Sequence, residues 1–259
     1  MVLKDFVLSA ERFVVAHRGS SGTAPENTLA AIRQALDAGA KMVELDVHVT
    51  ADDHAILLHD NVVGRTTGGH GRLASMNFDE LRRLDAGSWF HPDFRDEKIP
   101  LLAEALDMLK GRAYLNIEIK PPQPNEDYEA RLETIFGTVG RAGMTPYTLF
   151  GSFHHPTLRE LKRRYPALHT AAINLPGDKR LPSEISAEIG CEGIVYALRE
   201  LTYAKMKDAE KSGIYTGAYV VNTADDLRRA LRYNVRALAS NFPAKIMGLL
   251  VELSPKQEH

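Results

Sequence analysis

Carboxylates alternate with apolar residues in the segment MVELDVHV (42–49). The two-residue repeat of a β-strand places Glu44, Asp46 and His48 on one face and valines and leucines on the other. A second segment, YLNIEIK, repeats the pattern and contributes Glu118. Three ionised carboxylates in a low-dielectric interior need protonation, cationic neighbours or a metal. Oxygen ligation favours Mg²⁺ or Ca²⁺, while His48 keeps a softer metal open.

Two histidines and two cationic residues accompany these carboxylates. The apolar run FVVA ends in His17 and Arg18, and the segment LLHD carries His59. Lys120 follows Glu118 on the same strand face. Paired imidazoles titrate near neutral pH and can act as general acid and base, and the cationic residues suit a phosphate. The set therefore predicts metal-assisted phosphoryl or phosphodiester chemistry.

Each of these residues also has an ordinary structural use. A histidine at a strand end is commonly a polar loop residue, and the two glutamates could pair with Arg18 and Lys120 in a buried ion network. Glu26 and Asn27 suit a helix entry as well as a site. The conjunction favours catalysis, because independent structural uses would not be expected to bring seven such residues to one rim.

Nine β-rich runs are spread along the chain, and helix-length amphipathic stretches separate most of them. The runs are FVVAH (13–17), MVELDVHV (42–49), AILLH (55–59), AYLNIEIK (113–120), YTLFGSF (147–153), LHTAAIN (168–174), GIVYAL (193–198), YTGAYVVN (215–222) and RALASNF (236–242). Only residues 51–54 separate HVT, where the second run ends, from AILLHD, where the third begins. This is too short for a parallel crossover, so the two runs form an antiparallel hairpin. The other eight predict an α/β fold, a TIM-type (β/α)₈ barrel.

We predict a single catalytic barrel domain over residues 1–259, with a small lobe inserted at 60–100, after the hairpin that follows strand 2. That segment holds too many glycine, aspartate and proline residues for a simple loop. Trp89 and Phe90 are expected in the lobe's core, and contact with a substrate is the alternative. The last residues, 254–259, are expected to fray.

The composition is that of an ordinary globular protein, with 44% hydrophobic and 25% charged residues and a net charge of -2. Such a balance argues against nucleic acid or an anionic membrane as a partner. The single cysteine, Cys191, excludes an intramolecular disulfide and a cysteine metal cluster. Charges interrupt the apolar runs of the N-terminal segment, and no run reaches the length of a membrane span. We predict a cytoplasmic protein that acts on a small molecule, without stable membrane association, and leave the oligomeric state open.

At these residues the chain resembles the glycerophosphodiester phosphodiesterase family. The matching segments are HRG (17–19), PENT (25–28), ELDVHVTADDHAILLHD (44–60), RTTGGHG (65–71), IPLLAEAL (99–106) and IEIK (117–120), with looser matches at GSF (151–153), VVN (220–222) and SNFP (240–243). The resemblance implies a TIM-type barrel with an inserted lobe. It also implies hydrolysis of a glycerophosphodiester to glycerol 3-phosphate and an alcohol, with one divalent cation, Mg²⁺ or Ca²⁺.

Carried over by position, the resemblance implies three roles. The metal ligands would be Glu44, Asp46 and Glu118, the general acid and base His17 and His59, and the phosphate contacts Arg18 and Lys120. The chain departs from the pattern at His48, at Tyr219-Val220-Val221-Asn222, where a Trp-Thr-Val-Asn run is frequent, and at Ser240-Asn241, where Thr-Asp is frequent. We expect these departures to leave the acid, base and metal set intact and to bear on the alcohol and glycerol pocket.

Other functions fit the same residues. A phosphodiesterase that acts on lysophospholipids or another diester would need the same set and a different pocket. A metal-dependent barrel aldolase or isomerase would also carry carboxylates and histidines on this rim, and turnover of phosphomonoester sugars would reveal it. A non-catalytic binding protein is the least favoured, because the acid, base and metal ligands are all present.

Overall fold

Eight parallel strands close into a barrel in a computed structural model that describes residues 2–123 and 127–253. Around the barrel the order is β1-β9-β8-β7-β6-β5-β4-β2, and β1 pairs with β2 to close it, while β3 adds to the outer edge of β2. The strands are β1 (Phe13–His17), β2 (Met42–Val49), β3 (Ala55–Leu57), β4 (Tyr114–Ile119), β5 (Thr148–Ser152), β6 (His169–Ile173), β7 (Gly193–Ala197), β8 (Tyr215–Tyr219) and β9 (Ala237–Ser240). The predicted TIM-type (β/α)₈ barrel is confirmed.

Helices follow most strands and cover the outside of the barrel. The α-helices of the described residues are α1 (Leu3–Ser9), α2 (Leu29–Asp37), α3 (Gly64–Thr67), α4 (Phe78–Arg83), α5 (Leu102–Leu109), α6 (Tyr128–Arg141), α7 (His155–Arg164), α8 (Pro182–Ile189), α9 (Tyr203–Lys211), α10 (Ala224–Arg232) and α11 (Pro243–Leu253). None of them has the length and apolar character needed to cross a membrane. The predicted frayed tail at 254–259 lies outside the described residues.

Strand register brings the candidate residues side by side. In the parallel pair β2 and β4, Asp46 lies opposite Glu118, and in the pair β1 and β2, His17 lies opposite Glu44. The intervening apolar residues of β2 are fully buried in the core between strands and helices. The predicted hairpin is confirmed, since β2 and β3 pair antiparallel with Val47 opposite Leu57. The pleat alone thus turns every second residue of β2 toward the barrel axis.

The segment between β3 and α5 contains α3, α4 and a small apolar cluster of its own. That cluster consists of Ile56, Leu58, Val63, Leu73, Leu81, Ala86 and Ile99. Arg82 ties α4 to α5 through a bidentate ion pair with Glu104, at 2.8 and 2.7 Å. Trp89 is 41% exposed, so its prediction as part of the lobe's core is wrong. The division into a barrel and an inserted lobe stays a prediction.

A cavity of about 180 Å³ lies at the end of the barrel where the strands begin. Barrel interiors are usually filled by branched aliphatic side chains, whereas several positions here carry only glycine or alanine. These small lining residues are Ala171, Gly193, Gly217, Ala218, Ala237 and Ala239. Helix α1, which sequence analysis did not predict, contributes Leu3 and Val7 to the wall. The barrel is therefore underpacked at the end opposite its candidate site.

Ala239→Val is expected to stabilise the protein. Its added methyl groups would enter the cavity, and burial of about 0.8 kcal/mol per methylene predicts a net gain of about 1 kcal/mol after side-chain entropy is subtracted. Thermal unfolding measures the effect, with an expected rise in Tm of about 2–4 °C. Ala172→Val is the matched control, because Ala172 is fully buried in the packed core outside the cavity and overpacking costs about 1–3 kcal/mol. A fall in Tm for both variants would contradict the prediction.

Candidate active site

The three candidate metal ligands converge at the carboxyl ends of β2 and β4. Glu44, Asp46 and Glu118 each offer a carboxylate oxygen, and these oxygens lie within 4.8 Å of one another. Glu44 and Asp46 are buried and Glu118 is partly buried. The histidine on the same strand is not in this group, since His48 Nε2 lies 3.3 Å from the backbone oxygen of His59. The donor set is therefore all oxygen, which suits a hard divalent cation.

Asp46 is the most heavily paired carboxylate of the group. Lys120 donates to its Oδ1, and Arg18 Nε lies 3.1 Å from its Oδ2. Asn27 contacts it twice, since Nδ2 donates to Oδ2 at 2.8 Å and Oδ1 accepts from the Asp46 backbone N–H at 3.1 Å. Burial alone would raise the pKa of Asp46, but the charges of Lys120 and Arg18 outweigh burial and hold that pKa well below its usual range. Asp46 is therefore ionised.

The negative charges of Glu44 and Glu118 are less fully balanced by neighbouring cations than that of Asp46. Burial and the charges of Asp46 and Glu118 raise the pKa of Glu44 well above its usual value, and burial and Asp46 raise the pKa of Glu118. Glu44 Oε2 accepts from the Arg18 backbone N–H at 2.9 Å. Its other oxygen, Oε1, is buried and has no hydrogen-bond partner among the described residues. An orphaned carboxylate oxygen beside two further carboxylates fits a bound cation.

The two predicted phosphate contacts are held by carboxylates in this structure. Lys120 Nζ lies 2.5 Å from Glu118 Oε1 as well as bonding Asp46. Burial opposes the charge of Lys120, but Asp46 and Glu118 raise its pKa. Arg18 has a left-handed φ of 56° and donates from one guanidinium nitrogen to Glu26 Oε1 at 2.9 Å. Of the buried ion network that the sequence left open as an alternative, the Lys120–Glu118 pair is present, whereas the Arg18 guanidinium pairs with Asp46 and Glu26 instead of Glu44.

His17 turns one ring nitrogen toward the carboxylates and the other toward a distant loop. Its Nε2 lies 3.9 Å from Glu44 Oε2, and its Nδ1 lies 2.7 Å from Asn241 Oδ1. Because the amide oxygen accepts, Nδ1 is assigned the proton and Nε2 keeps its lone pair. Burial and the neighbouring Arg18 lower the pKa of His17 to about 4. The departure at Ser240-Asn241 therefore contacts the predicted acid and base pair, which sequence analysis did not expect.

His59 lies after β3 and is held from two sides. Its Nδ1 lies 2.6 Å from Asp60 Oδ1, and its backbone oxygen accepts from His48. Asp60 also accepts from Arg65 Nε at 2.6 Å. Burial would raise the pKa of Asp60, but hydrogen bonds from Arg65 and His59 lower it. An ionised carboxylate thus fixes the orientation of the His59 ring.

Sequence analysis left several partners of the site unassigned. Thr28 caps α2 by accepting from the Ala31 N–H at 3.2 Å, so Asn27 is free to bind Asp46. The segments PENT and RTTGGHG carried a signal for Glu26 and Arg65, although not for their contacts. Asn241 was noted in the sequence as part of the departure at Ser240-Asn241, without its contact to His17. The structure thus brings all seven predicted site residues to one end of the barrel and adds five supporting residues: Glu26, Asn27, Asp60, Arg65 and Asn241.

Comparison with known proteins gives a consistent result. The glycerophosphodiester phosphodiesterase of Caldanaerobacter subterraneus subsp. tengcongensis is 29% identical over 238 residues, 92% of this chain and 97% of that protein. Glycerophosphodiester phosphodiesterase 1 of Homo sapiens is 54% identical over 94 residues, 36% of this chain and 28% of that protein. The structure of an Oleispira antarctica phosphodiesterase in complex with the product sn-glycerol-3-phosphate superposes with a TM-score of 0.86 at 29% identity, covering 92% of this chain and 96% of that one.

The family comparison covers both the candidate site and most of the barrel. The model of the glycerophosphoryl diester phosphodiesterase family matches residues 17–245. That range begins at His17 and includes every other predicted site residue. The resemblance found in the sequence is confirmed, and with it the enzyme class. The chain belongs to the glycerophosphoryl diester phosphodiesterase family of phosphoric diester hydrolases.

Proposed function

We propose that this protein hydrolyses glycerophosphodiesters to glycerol 3-phosphate and an alcohol with a divalent cation held by Glu44, Asp46 and Glu118. The observation that supports this most directly is the convergence of their three oxygens within 4.8 Å, with Glu44 Oε1 buried and unpartnered among the described residues. The product in the Oleispira antarctica structure supports the glycerol 3-phosphate half of the substrate. The all-oxygen donor set favours Mg²⁺ or Ca²⁺.

The charge balance of the site supports binding of an anionic diester. Up to three carboxylate charges face Arg18 and Lys120, so the cluster attracts a cation, and a bound dication would supply the positive charge that polarises a phosphoryl oxygen. Arg18 and Lys120 lie beside the ligands and are placed to contact the remaining phosphate oxygens. These cationic residues would then neutralise charge that develops on the oxygens during the reaction.

We assign His17 as the general base and His59 as the general acid. The Asn241 contact leaves His17 Nε2 able to accept a proton from the nucleophile's oxygen. Asp60 accepts from His59 Nδ1–H and orients the ring, so the proton for the leaving alcohol oxygen would come from the other ring nitrogen, Nε2. The nucleophile is water, or a glycerol hydroxyl that first forms a cyclic phosphate. The first step uses the two histidines in the same way on both routes. On the cyclic route their roles then reverse, because His59 accepts a proton from the attacking water and His17 returns its proton to the glycerol oxygen when the ring opens.

Removal of divalent metal is expected to abolish activity. Wild-type protein should release glycerol 3-phosphate from glycerophosphocholine or glycerophosphoethanolamine in Mg²⁺ or Ca²⁺. Excess EDTA should lower the rate at least about 100-fold, because the metal contributes several kcal/mol to stabilising the transition state. Readdition of each metal in turn identifies the cofactor and controls for irreversible damage. An unchanged rate in EDTA would contradict metal dependence, and no release with any metal would contradict the substrate.

The family match also bears on the other functions considered from the sequence. The family match counts against an aldolase, an isomerase and a non-catalytic binding protein. Lysophospholipids or other diesters remain alternative substrates. A lysophospholipid would yield lysophosphatidic acid and the alcohol, so release of the alcohol rather than of glycerol 3-phosphate tests it. The cytoplasmic location, the lack of stable membrane association and the absence of nucleic-acid partners stay predictions, as does the single catalytic domain.

A further inference from the structure

A continuous series of ion pairs connects the two sides of the candidate site along its rim. The series alternates in charge from the proposed acid to the central carboxylate. Its members in order are His59, Asp60, Arg65, Glu26, Arg18 and Asp46. Every link is 3.1 Å or shorter.

Arg65 is the centre of this series because its guanidinium contacts two carboxylates at once. Its Nε donates to Asp60 Oδ2 at 2.6 Å. Its two terminal nitrogens donate to Glu26 Oε2 and Oε1 at 3.0 and 2.7 Å, a bidentate pair. The planar fork of arginine fixes the direction of both carboxylates, which the point charge of a lysine does not.

Asp60 and Glu26, oriented by Arg65, each contact a residue of the proposed mechanism. The second oxygen of Asp60 holds His59 Nδ1 at 2.6 Å. Glu26 Oε1 holds an Arg18 guanidinium nitrogen at 2.9 Å, on the side of Arg18 away from Asp46. Glu26 and Asp46 thus contact different nitrogens of the same guanidinium, Nη1 and Nε.

The position of Arg65 argues against a purely structural use. It lies on α3, a four-residue helix of the segment after the hairpin, and its side chain is 44% exposed. Ion pairs in which one partner is that exposed contribute little to stability. Arg82 makes a comparable bidentate pair with Glu104 in the same segment at 37% exposure, remote from the site. The two arginines therefore differ mainly in the further contacts of their carboxylate partners. Those of Arg65 bond His59 and Arg18, whereas Glu104 bonds the backbone N–H of Leu101.

We propose that Arg65 is a positioning residue that orients His59 through Asp60 and Arg18 through Glu26, so that the segment after the hairpin supplies the link between leaving-group protonation and phosphate binding. The inference rests on the proposed function, since it assigns no new reaction. It gives this segment a role beyond packing, which is to align groups that belong to the barrel.

The test compares Arg65→Gln with Arg82→Gln in glycerophosphocholine hydrolysis at saturating metal. Each variant loses one bidentate pair and one further hydrogen bond, to Asp60 for Arg65 and to the Ile99 backbone oxygen for Arg82, so similar small changes in Tm are expected. Arg65→Gln should lower kcat/KM about 10–100-fold, the range seen when a group that orients a site is removed, whereas Arg82→Gln should keep the wild-type value. Arg65→Lys should recover only part of the loss, because an ammonium cannot hold both carboxylates in a fork.

Two further variants separate the two arms of the series. Asp60→Asn should lower kcat most, through His59, and Glu26→Gln should raise KM most, through Arg18. Both effects should shrink in the Arg65→Gln background, as expected for residues that act through one another. A loss of folding alone would not produce this split between kcat and KM.

Equal kcat/KM for Arg65→Gln and Arg82→Gln would overturn the proposal while leaving the proposed function intact. If Arg65→Gln does not fold, Arg65→Lys decides, and a wild-type kcat/KM for that variant overturns the proposal. Inactive wild-type protein would count against the proposed function itself, so the two failures are distinguishable.

Discussion

His17→Ala is expected to lower kcat for glycerophosphocholine hydrolysis about 10³-fold, because a positioned general base contributes about 10²–10⁴-fold. KM should change little, since His17 contacts the reacting oxygen in this mechanism and the phosphate is held by other groups. Glycerol 3-phosphate release at saturating metal measures the effect. Metal affinity should stay near that of the wild type, because the three carboxylates are untouched. This combination distinguishes loss of a base from loss of the metal.

His169→Ala serves as the matched control. His169 begins β6 at the opposite end of the barrel and lines the cavity there. Its removal deletes the same imidazole without touching the site, so kcat should equal that of the wild type. If His17→Ala retained wild-type kcat, or if both variants lost it equally, the base assignment would fail. His59→Ala would then become the test of whether one histidine performs both proton transfers.

The barrel and the carboxylate cluster could be predicted because both depend on short-range periodicity. The alternation in MVELDVHV is enough to place Glu44 and Asp46 on one face, since the pleat leaves no other arrangement in a strand. The hairpin followed from the five residues between β2 and β3, which cannot form a crossover. Because the third run was assigned to this hairpin, eight of the nine runs were left to form a closed barrel.

Contacts between distant parts of the chain could not be predicted in the same way. His17 and Asn241 are 224 residues apart, and their 2.7 Å contact exists only because β1 and β9 are neighbours in the closed barrel. Arg65 reaches Glu26 across 39 positions, from a segment without a strong repeat. Periodicity reports which face a residue occupies. It carries no information about which residue of another element lies opposite.

The ion pairs of Arg18 and Lys120 are compatible with two interpretations of these residues, one functional and one structural. The sequence left open whether these cationic residues bind phosphate or form a buried network with the glutamates. Burial of carboxylates in a low dielectric requires compensating charge, so Lys120 pairs with Asp46 and Glu118 in this structure. In the proposed function, a bound cation would take over the compensation of these carboxylates and leave Arg18 and Lys120 to contact the anionic substrate.

The same electrostatics predict that Glu44→Gln lowers metal affinity and activity without lowering the stability of the metal-free protein. Metal affinity should fall at least about 100-fold, since loss of even an outer-shell partner of a ligand costs about 10–100-fold, and glycerol 3-phosphate release should fall with it. Metal-free stability should be unchanged or higher, because a neutral amide removes a buried charge beside Asp46 and Glu118. Calorimetric titration with Mg²⁺ and Ca²⁺, together with Tm in EDTA, measures both effects.

Metal should therefore stabilise the wild type but hardly stabilise Glu44→Gln. At 100 times its Kd, a metal that binds the folded state contributes about 2.7 kcal/mol, whereas Glu44→Gln should show almost none of that gain at the same concentration. Glu192→Gln is the control, since Glu192 pairs with Lys162 at 2.5 Å and lies next to β7 at the opposite end of the barrel. It should keep both the metal-dependent rise in Tm and the activity. A Glu44→Gln variant with the wild-type metal response would show that the orphaned Oε1 is not a ligand, and the cation would have to be assigned to Asp46 and Glu118 without it.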